Sequence, residues 1–208
     1  METEKLAIFD ENYIKIGVKT RDEIHRQGYW HETFHCWFLK REEREDYLYF
    51  QLRSKEKKDY PALFDITAAG HLLENESVEE GVREVKEELG VNLLFSELVS
   101  LGVMKYSVRN NELVDNELAN VFLYLLPKEE VAFSVGKAEV AGVVKVGLSS
   151  FYQLIRSEVE AVRVEGFQEL NNGVKVEIVK DVTLQEFVPH ELEYFEAVVE
   201  KVKKVLAS

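Results

Sequence analysis

Residues 70–91 are the most informative stretch of the chain and read GHLLENESVEEGVREVKEELGV. Ser77, followed three residues later by Glu80, has the pattern of a capping box, so we expect a helix to begin near Val78. Gly90 occupies the position at which a left-handed residue commonly ends a helix. The stretch therefore predicts a short helix preceded by a glycine-bearing loop.

At about 100° per residue, the side chains of this helix divide between two faces. The apolar side chains, which we expect to pack on a core, are Val78, Val82, Val85 and Leu89. The acidic side chains on the other face are Glu80, Glu84, Glu87 and Glu88. Like charges four residues apart cost about 0.2–0.5 kcal/mol per pair in an isolated helix. The acidic face is open to two interpretations, a solvated surface or a Mg²⁺ site, because Mg²⁺ prefers carboxylate and phosphate oxygens.

The same stretch resembles the Nudix box. The family pattern is Gly, five residues, Glu, seven residues, Arg-Glu, an aliphatic, any residue, Glu-Glu, any residue, Gly and an aliphatic. Residues 83–91 match the second half at every position, and Gly70 and Glu76 match the first half. Only residues 77–82 separate Glu76 from Arg83, one fewer than the pattern has. We place the missing residue in the loop ahead of the helix, and Asn75 is the alternative for the first acidic position.

The resemblance implies an α/β fold, the Nudix α/β/α sandwich around a mixed sheet. It implies a pyrophosphohydrolase, a Mg²⁺-dependent hydrolase that cleaves a diphosphate bond in a nucleoside diphosphate-linked or other organic diphosphate. The implied ligands of Mg²⁺ (or Mn²⁺) are Glu84, Glu87, Glu88 and the carbonyl of Gly70. The implied catalytic residues are Glu87, Glu84, Arg83 and Glu117. Glu87 and Glu117 are both candidates for the general base, and Arg83 is expected to orient a glutamate of the box, Glu76.

The N-terminal part resembles a narrower group, the isopentenyl-diphosphate isomerase-like Nudix proteins. This resemblance rests on residues 8–11 (IFDE), 21–26 (RDEIHR), 30–37 (WHETFHCW), 70–71 (GH) and 115–117 (DNE). In true isomerases three histidines and two acidic residues bind a metal. The matching residues are His25, His31, His71, Asp115 and Glu117, with His25 one residue out of step. The resemblance thus implies a second metal site at His25, His31 and His71, whose imidazoles favour a transition metal.

The position of the isomerase's proton-transferring cysteine is Ala69. Alanine carries no exchangeable proton, so acid/base catalysis from this position is excluded, and the intact Glu pairs of the box favour hydrolysis. Cys36 lies on a predicted strand, where a free cysteine is commonly buried. Three interpretations stay open: a hydrolase, an isomerase-like enzyme, and a catalytically silent Nudix module that binds a ligand. The shortened box is consistent with the third.

A basic run precedes the strand that leads into the box. Its members Arg53, Lys57 and Lys58 resemble the phosphate-contacting loop of the isomerase-like group, so we predict that they bind substrate; a solvated basic loop is the alternative. Aromatic residues near the predicted site are equally compatible with substrate stacking and with the core, namely Trp37, Tyr60, Phe64 and Tyr106.

The length and composition fit a single domain. The chain has 208 residues, of which 46% are hydrophobic, and a net charge of −13. We expect a core at about 30–155, an N-terminal hairpin at 5–19 and an extension at 156–208. The acidic charge argues against nucleic acid and anionic membranes as partners and favours a small-molecule diphosphate that meets the protein through metal. No signal-peptide or membrane-spanning pattern is recognisable, and Cys36 is the only cysteine, so we expect a cytoplasmic protein.

Alternating apolar residues predict strands at 6–9, 13–18, 34–39, 47–53, 63–68, 93–101, 118–126, 140–146, 162–169 and 174–179. Asn171-Asn172-Gly173 is a strong signal for a hairpin. We expect one helix capped at Ser149 or Ser150 and a last helix from Thr183 to about Leu206. The C-terminal hairpin and helix are open to two roles, a homodimer interface or an ordinary part of the core.

Overall fold

A computed structural model of the chain describes residues 4–109 and 114–207. Within these residues there are eleven strands and four α-helices. The strands are β1 (Lys5–Phe9), β2 (Lys15–Thr20), β3 (Trp30–Arg41), β4 (Asp46–Arg53), β5 (Phe64–Ile66), β6 (Ala68–His71), β7 (Val99–Arg109), β8 (Val114–Leu125), β9 (Val140–Gly147), β10 (Val162–Glu169) and β11 (Lys175–Val182). The helices are α1 (Arg21–Gln27), α2 (Arg83–Leu89), α3 (Leu148–Ile155) and α4 (Leu192–Ala207).

The strands form one mixed sheet, in which the long path runs β11-β10-β9-β4-β3-β1-β2. β3 is its centre and pairs in parallel with β8 along residues 30–39. The neighbouring pairs β3–β4, β4–β9 and β9–β10 are antiparallel. Because β10 pairs with β9, the C-terminal hairpin continues the main sheet. This arrangement confirms the predicted mixed sheet.

Alternation along β3 sends its side chains to two cores, one on each face of the sheet. Trp37 and Leu39 lie in the larger core with α3 and α4. Phe34, Cys36 and Phe38 lie in the smaller core, where Val85 and Leu89 of α2 also pack. The sheet is therefore covered by α2 on one face and by α3 and α4 on the other. Cys36 is fully buried, and this burial raises the pKa of its thiol, so it is a core residue.

The box helix begins later than we expected. Ser77 and Glu80 do form the reciprocal hydrogen bonds of a capping box. The chain that follows is a 3₁₀ turn over Glu80–Val82, and α-helical geometry starts only at Arg83. Gly81 lets the backbone of this turn approach β3 closely, because an added Cβ there would lie 2.9 Å from the Phe34 side chain. Gly90 ends the helix in the left-handed conformation, with φ 70°, as predicted.

Three other element predictions were wrong in part. The strand predicted at 93–101 runs from Val99 to Arg109, and a 3₁₀ turn occupies Phe95–Glu97. Gly147, and neither of the predicted serines, is the N-cap residue of α3. The last helix begins at Leu192 rather than Thr183, since a 3₁₀ turn occupies Leu184–Glu186 and Pro189 lies in the irregular segment that follows it. Helix α1 was not predicted at all. In the described part of the chain, no helix is long and apolar enough to cross a membrane.

Candidate active site

The central sheet forks, and a cavity of about 490 Å³ lies at the fork. β3 and β4 pair only at residues 39–41 and 46–48. Beyond that point β3 pairs with β6, whereas β4 pairs with β5. The sequence predicted one strand at 63–68, but Thr67 separates two short strands that belong to different arms of the fork. The cavity is lined from β3, β5, β6, β8, α2 and the segment before α4.

Gly70 of β6 lies directly under the Glu84 side chain of α2. A Cβ at Gly70 would lie only 2.2 Å from the carboxyl carbon of Glu84, so no larger residue fits without displacing that carboxylate. Val85 and Leu89 are fully buried on the opposite side of α2 and fix its orientation. Packing of α2 on the sheet thus presents Glu84 to the cavity wall.

Arg83 is the centre of a cluster of carboxylates. Its Nη2 donates to Glu76 Oε2 at 2.9 Å, and its Nε donates to the other oxygen of Glu76. Its Nη1 lies 2.7 Å from Glu84 Oε1 and 3.1 Å from Glu87 Oε2, and Nη2 also reaches the His71 carbonyl at 3.2 Å. The partner of Arg83 is therefore Glu76, while Asn75 is exposed.

Burial distinguishes three of the four glutamates that we expected on one face of the helix. The Glu87 side chain is 59% exposed. Burial raises the pKa of Glu84 to about 7, although the charge of Arg83 opposes the shift. Glu88 is only 4% exposed, and its Oε2 accepts from Ala69 N at 2.9 Å and from Gln51 at 3.2 Å. Burial and the charge of Glu84 raise the pKa of Glu88 well above its usual range.

Three histidines and one aspartate meet at the other side of the cavity. Ligand atoms of His25, His31, His71 and Asp115 all lie within 4.8 Å of one another. Asp115 Oδ1 is 3.5 Å from His25 Nε2 and 3.4 Å from His31 Nε2. These three atoms and His71 Nε2 are buried and have no hydrogen-bond partner among the described residues. Burial lowers the pKa of all three histidines, that of His25 to about 4.

The elements that bring these four residues together are local and well defined. His25 lies on α1, which begins at a Thr20–Glu23 capping box and ends at Gly28 with φ 70°. His31 and Asp115 lie on the neighbouring strands β3 and β8. His31 Nδ1 is 3.2 Å from the Tyr29 carbonyl, so its Nε2 is left for a ligand. The His31 and His71 rings are stacked, with centroids 5.0 Å apart.

Glu117 lies beside the four-residue cluster but is held by other partners. Its Oε2 accepts from Thr33 Oγ1 at 2.9 Å and lies 3.0 Å from His35 Nε2. The other ring nitrogen of His35 is 2.8 Å from the Tyr194 hydroxyl of α4. Burial opposes ionisation of Glu117, but the hydrogen bond and charge of His35 bring its pKa down to about 2. Glu117 is thus kept as a carboxylate.

Two of the three predicted basic residues lie at the cavity, and the third does not. Arg53 and Lys57 line the cavity. Arg53 donates to Asp65 at 2.6 Å and to the carbonyls of Asp59 and Tyr60, so it closes the loop after β4. Lys57 pairs with Glu139 at 2.8 Å. Lys58 is exposed and lies outside the cavity lining.

The aromatic candidates divide in the same way. Tyr60 and Tyr106 line the cavity, and Tyr106 also belongs to the larger core, as Trp37 and Phe64 do. Trp37 also donates to the Tyr194 hydroxyl at 3.3 Å.

Several cavity residues were not identified from the sequence, namely Arg21, His35, Asp65, Glu139 and His190. A signal existed for Asp65, because it is a charged residue within an apolar strand. His190 lies 125 positions from its partner Asp65, and no local pattern marks such a contact.

The chain has a curated relative of almost the same length. It is 37% identical over 198 residues to an uncharacterized Nudix hydrolase of Clostridium acetobutylicum, a match that covers 95% of this chain and 96% of the relative. It is 30% identical over 164 residues to Nudix hydrolase 3 of Arabidopsis thaliana, which covers 76% of this chain but only 21% of the plant protein. No family model matches the chain.

Solved structures share the fold. A crystal structure of a Deinococcus radiodurans protein superposes with a TM-score of 0.58 at 16% identity, over 74% of this chain and 90% of that one. A MutT/nudix family protein from Enterococcus faecalis gives 0.52 at 13% identity, over 85% of this chain and 62% of that one. At these identities the likeness establishes the fold alone.

Proposed function

The chain belongs to the Nudix hydrolase family, and we propose that it is a Mg²⁺-dependent pyrophosphohydrolase of an organic diphosphate. The observation that carries the proposal is the one cavity that Arg83, Glu84 and Glu87 share with the histidine cluster, whose Nε2 atoms have no hydrogen-bond partner among the described residues. Its volume of about 490 Å³ is within the range of small-molecule sites. Metal in such a cavity would let an acidic protein accept an anionic substrate.

The residues of the box fit a hard divalent cation. Glu84, Glu87, Glu88 and the Gly70 carbonyl would hold Mg²⁺, or Mn²⁺, through oxygen atoms alone. The Glu84 side chain is only 12% exposed and lies near Glu87 and Glu139, a density of negative charge that a cation would relieve. When bound, the ion would neutralise phosphate oxygens and lower the pKa of the attacking water.

The protein's own groups supply orientation and proton transfer. Arg83 contacts Glu76, Glu84 and Glu87 and so fixes the positions of these carboxylates relative to one another. Two carboxylates are candidates to take the proton from the attacking water. Glu87 is open to solvent, and Glu117 is held ionised by His35 and Thr33. Lys57 neutralises Glu139 at the cavity wall.

The histidine cluster supports assignment to the isomerase-like branch, with a hydrolytic chemistry. Its donor set of three imidazole nitrogens and one carboxylate oxygen fits a transition metal better than Mg²⁺. The four unpartnered buried atoms of His25, His31, His71 and Asp115 support this second metal site. Isomerisation is not supported, because Ala69 offers no proton and its backbone N–H is engaged by Glu88.

The experiment is an assay of phosphate or diphosphate release with Mg²⁺ on nucleotides, dinucleotides and prenyl diphosphates. We expect release from at least one substrate by the unmodified protein and none by Glu87→Gln at equal thermal stability. Release that persists in Glu87→Gln with bound metal would contradict the role of the box. Ligand binding without release from any substrate would favour the silent-module interpretation.

A further inference from the structure

His190 enters the cavity from the C-terminal extension, outside the box and the histidine cluster. It follows Phe187, whose ring is buried against Phe50 and Phe64. Val188 N donates to the Phe64 carbonyl at 2.8 Å, so the extension is fixed to the edge of β5. These contacts place His190 beside Asp65 of the same strand, and its side chain is only 5% exposed.

Asp65 determines the orientation of the His190 ring. His190 Nε2 is 2.7 Å from Asp65 Oδ1, which also accepts from Ile66 N at 2.8 Å. The other oxygen of Asp65 accepts from Arg53 at 2.6 Å. Burial opposes ionisation of Asp65, but the hydrogen bond from His190 and the charge of Arg53 hold its pKa below the usual range. Asp65 is therefore ionised and has no proton to donate, so the proton of this contact lies on Nε2.

The second ring nitrogen has no partner. His190 Nδ1 is buried and makes no hydrogen bond with any described residue. In a neutral imidazole whose Nε2 carries the proton, Nδ1 is a hydrogen-bond acceptor, and its burial without a partner is unfavourable.

The surroundings of His190 fit the organic part of a substrate. Tyr106 and Val188 line the same cavity, and the Tyr106 ring centroid is 5.5 Å from that of His190. Tyr106 also lies 5.8 Å from His35, whose partner is Glu117. This wall carries the rings of Tyr106 and His190 and the aliphatic side chain of Val188. The box glutamates, in contrast, lie on α2, and the histidine cluster lies on α1, β3, β6 and β8.

We propose that His190 is a specificity-determining residue, whose Nδ1 accepts a hydrogen bond from a hydroxyl or amino group on the organic part of the diphosphate. Asp65 is the positioning residue. The inference rests on the proposed function and narrows its substrate to diphosphates whose organic part carries a hydrogen-bond donor, as nucleosides and sugars do. Prenyl diphosphates carry none, and they would leave Nδ1 buried without a partner.

Two substitutions distinguish the proposed hydrogen bond between Nδ1 and the substrate from the contact between Nε2 and Asp65. His190→Gln keeps an N–H near the Nε2 position and removes the acceptor at Nδ1. His190→Asn places an amide at the Nδ1 position and removes the hydrogen bond to Asp65. The probes are ADP, UDP-glucose and dimethylallyl diphosphate, titrated calorimetrically with Mg²⁺ in the Glu87→Gln background so that no turnover occurs.

We expect ADP or UDP-glucose to bind more tightly than dimethylallyl diphosphate. His190→Gln should weaken that binding about tenfold, the loss of one good hydrogen bond. It should leave dimethylallyl diphosphate binding and the melting temperature unchanged. His190→Asn should lower the melting temperature and keep more of the selectivity.

An equal loss for all probes in His190→Gln, no loss at all, or failure of both donor-bearing probes to bind would overturn the inference. Because binding is measured without turnover, absence of hydrolysis in the release assay would contradict the proposed function and leave this result intact.

Discussion

Arg83 lies against Glu76 with two hydrogen bonds, one of them 2.9 Å long, across a loop that is one residue shorter than the family pattern. The same guanidinium reaches Glu84 and Glu87. Because Arg83 presents a rigid fork of donors, its position fixes the carboxylates around it. The shortened loop thus preserves the pairing on which the order of the site depends.

Loss of the Glu76 charge should loosen this arrangement. We predict that Glu76→Gln lowers kcat/KM about 10–100-fold, the usual effect of removing a partner behind metal ligands. Steady-state kinetics on the substrate found in the release assay checks this. The matched control is Asn75→Ala, at the exposed neighbouring position, which should behave as the unmodified protein does. Equal losses in both variants would contradict the pairing as the functional one.

Gly70→Ala should displace Glu84. The added Cβ would lie 2.2 Å from the carboxyl carbon, and a displacement of about 1 Å can cost about 100-fold in rate. We expect a loss of activity of that order with little change in melting temperature. Gly17→Ala is the control, because a Cβ there meets Ile8 at an ordinary 3.7 Å. Unchanged activity in Gly70→Ala would show that Glu84 need not lie where the structure has it.

The histidine cluster should bind its own ion. We predict that the purified protein takes up about one Co²⁺ or Zn²⁺ per chain, and that His31→Gln lowers the affinity by more than about 100-fold, a larger effect than loss of an outer partner. Metal analysis after dialysis and the visible spectrum of the Co²⁺ form are the measurements. Glu87→Gln should retain this ion. Full retention in His31→Gln would exclude the cluster as the site.

Asp65 should make the free energy of unfolding depend on pH in the acidic range. Its pKa is lower in the folded than in the unfolded chain, so its contribution is present above about pH 4 and declines as the pH falls further. We predict that Asp65→Asn lowers the free energy of unfolding by about 3 kcal/mol at pH 7, as removal of one partner from a buried ion pair does. The difference should shrink between pH 4 and pH 2.

Urea unfolding at several pH values measures this difference. Asp181→Asn is the control, since Asp181 is 68% exposed and its pair with Arg163 contributes little. A difference for Asp65→Asn that stays constant or grows on acidification would contradict the ionised state of Asp65.

The features predicted correctly from the sequence are those that neighbouring residues mark. The period of the helix identified Val85 and Leu89 as the buried side of α2, and Asn171-Asn172-Gly173 predicted the turn between β10 and β11. Helix α1 also had local signals, the Thr20–Glu23 capping box and Gly28, but it has only seven residues and offers little periodicity.

The remaining features depend on contacts between distant segments. A single apolar run at 63–68 does not reveal that Phe64–Ile66 pairs with β4 while Ala68–His71 pairs with β3. Glu88 carries the same charge as Glu87, and only the packing of α2 on the sheet determines which one is buried. The contact of His190 with Asp65 requires the extension to return to β5, which is set by the burial of Phe187.

The products formed in isotopically labelled water test whether this protein hydrolyses a diphosphate bond. The most direct measurement is mass spectrometry of the products formed in H₂¹⁸O with Mg²⁺ from ADP, UDP-glucose and isopentenyl diphosphate, with Glu87→Gln as the matched control. We predict one ¹⁸O atom per cleavage in a phosphate-containing product, and no such product from Glu87→Gln. Conversion of isopentenyl diphosphate to its allylic isomer without cleavage of a P–O bond, or labelling that persists in Glu87→Gln, would contradict it.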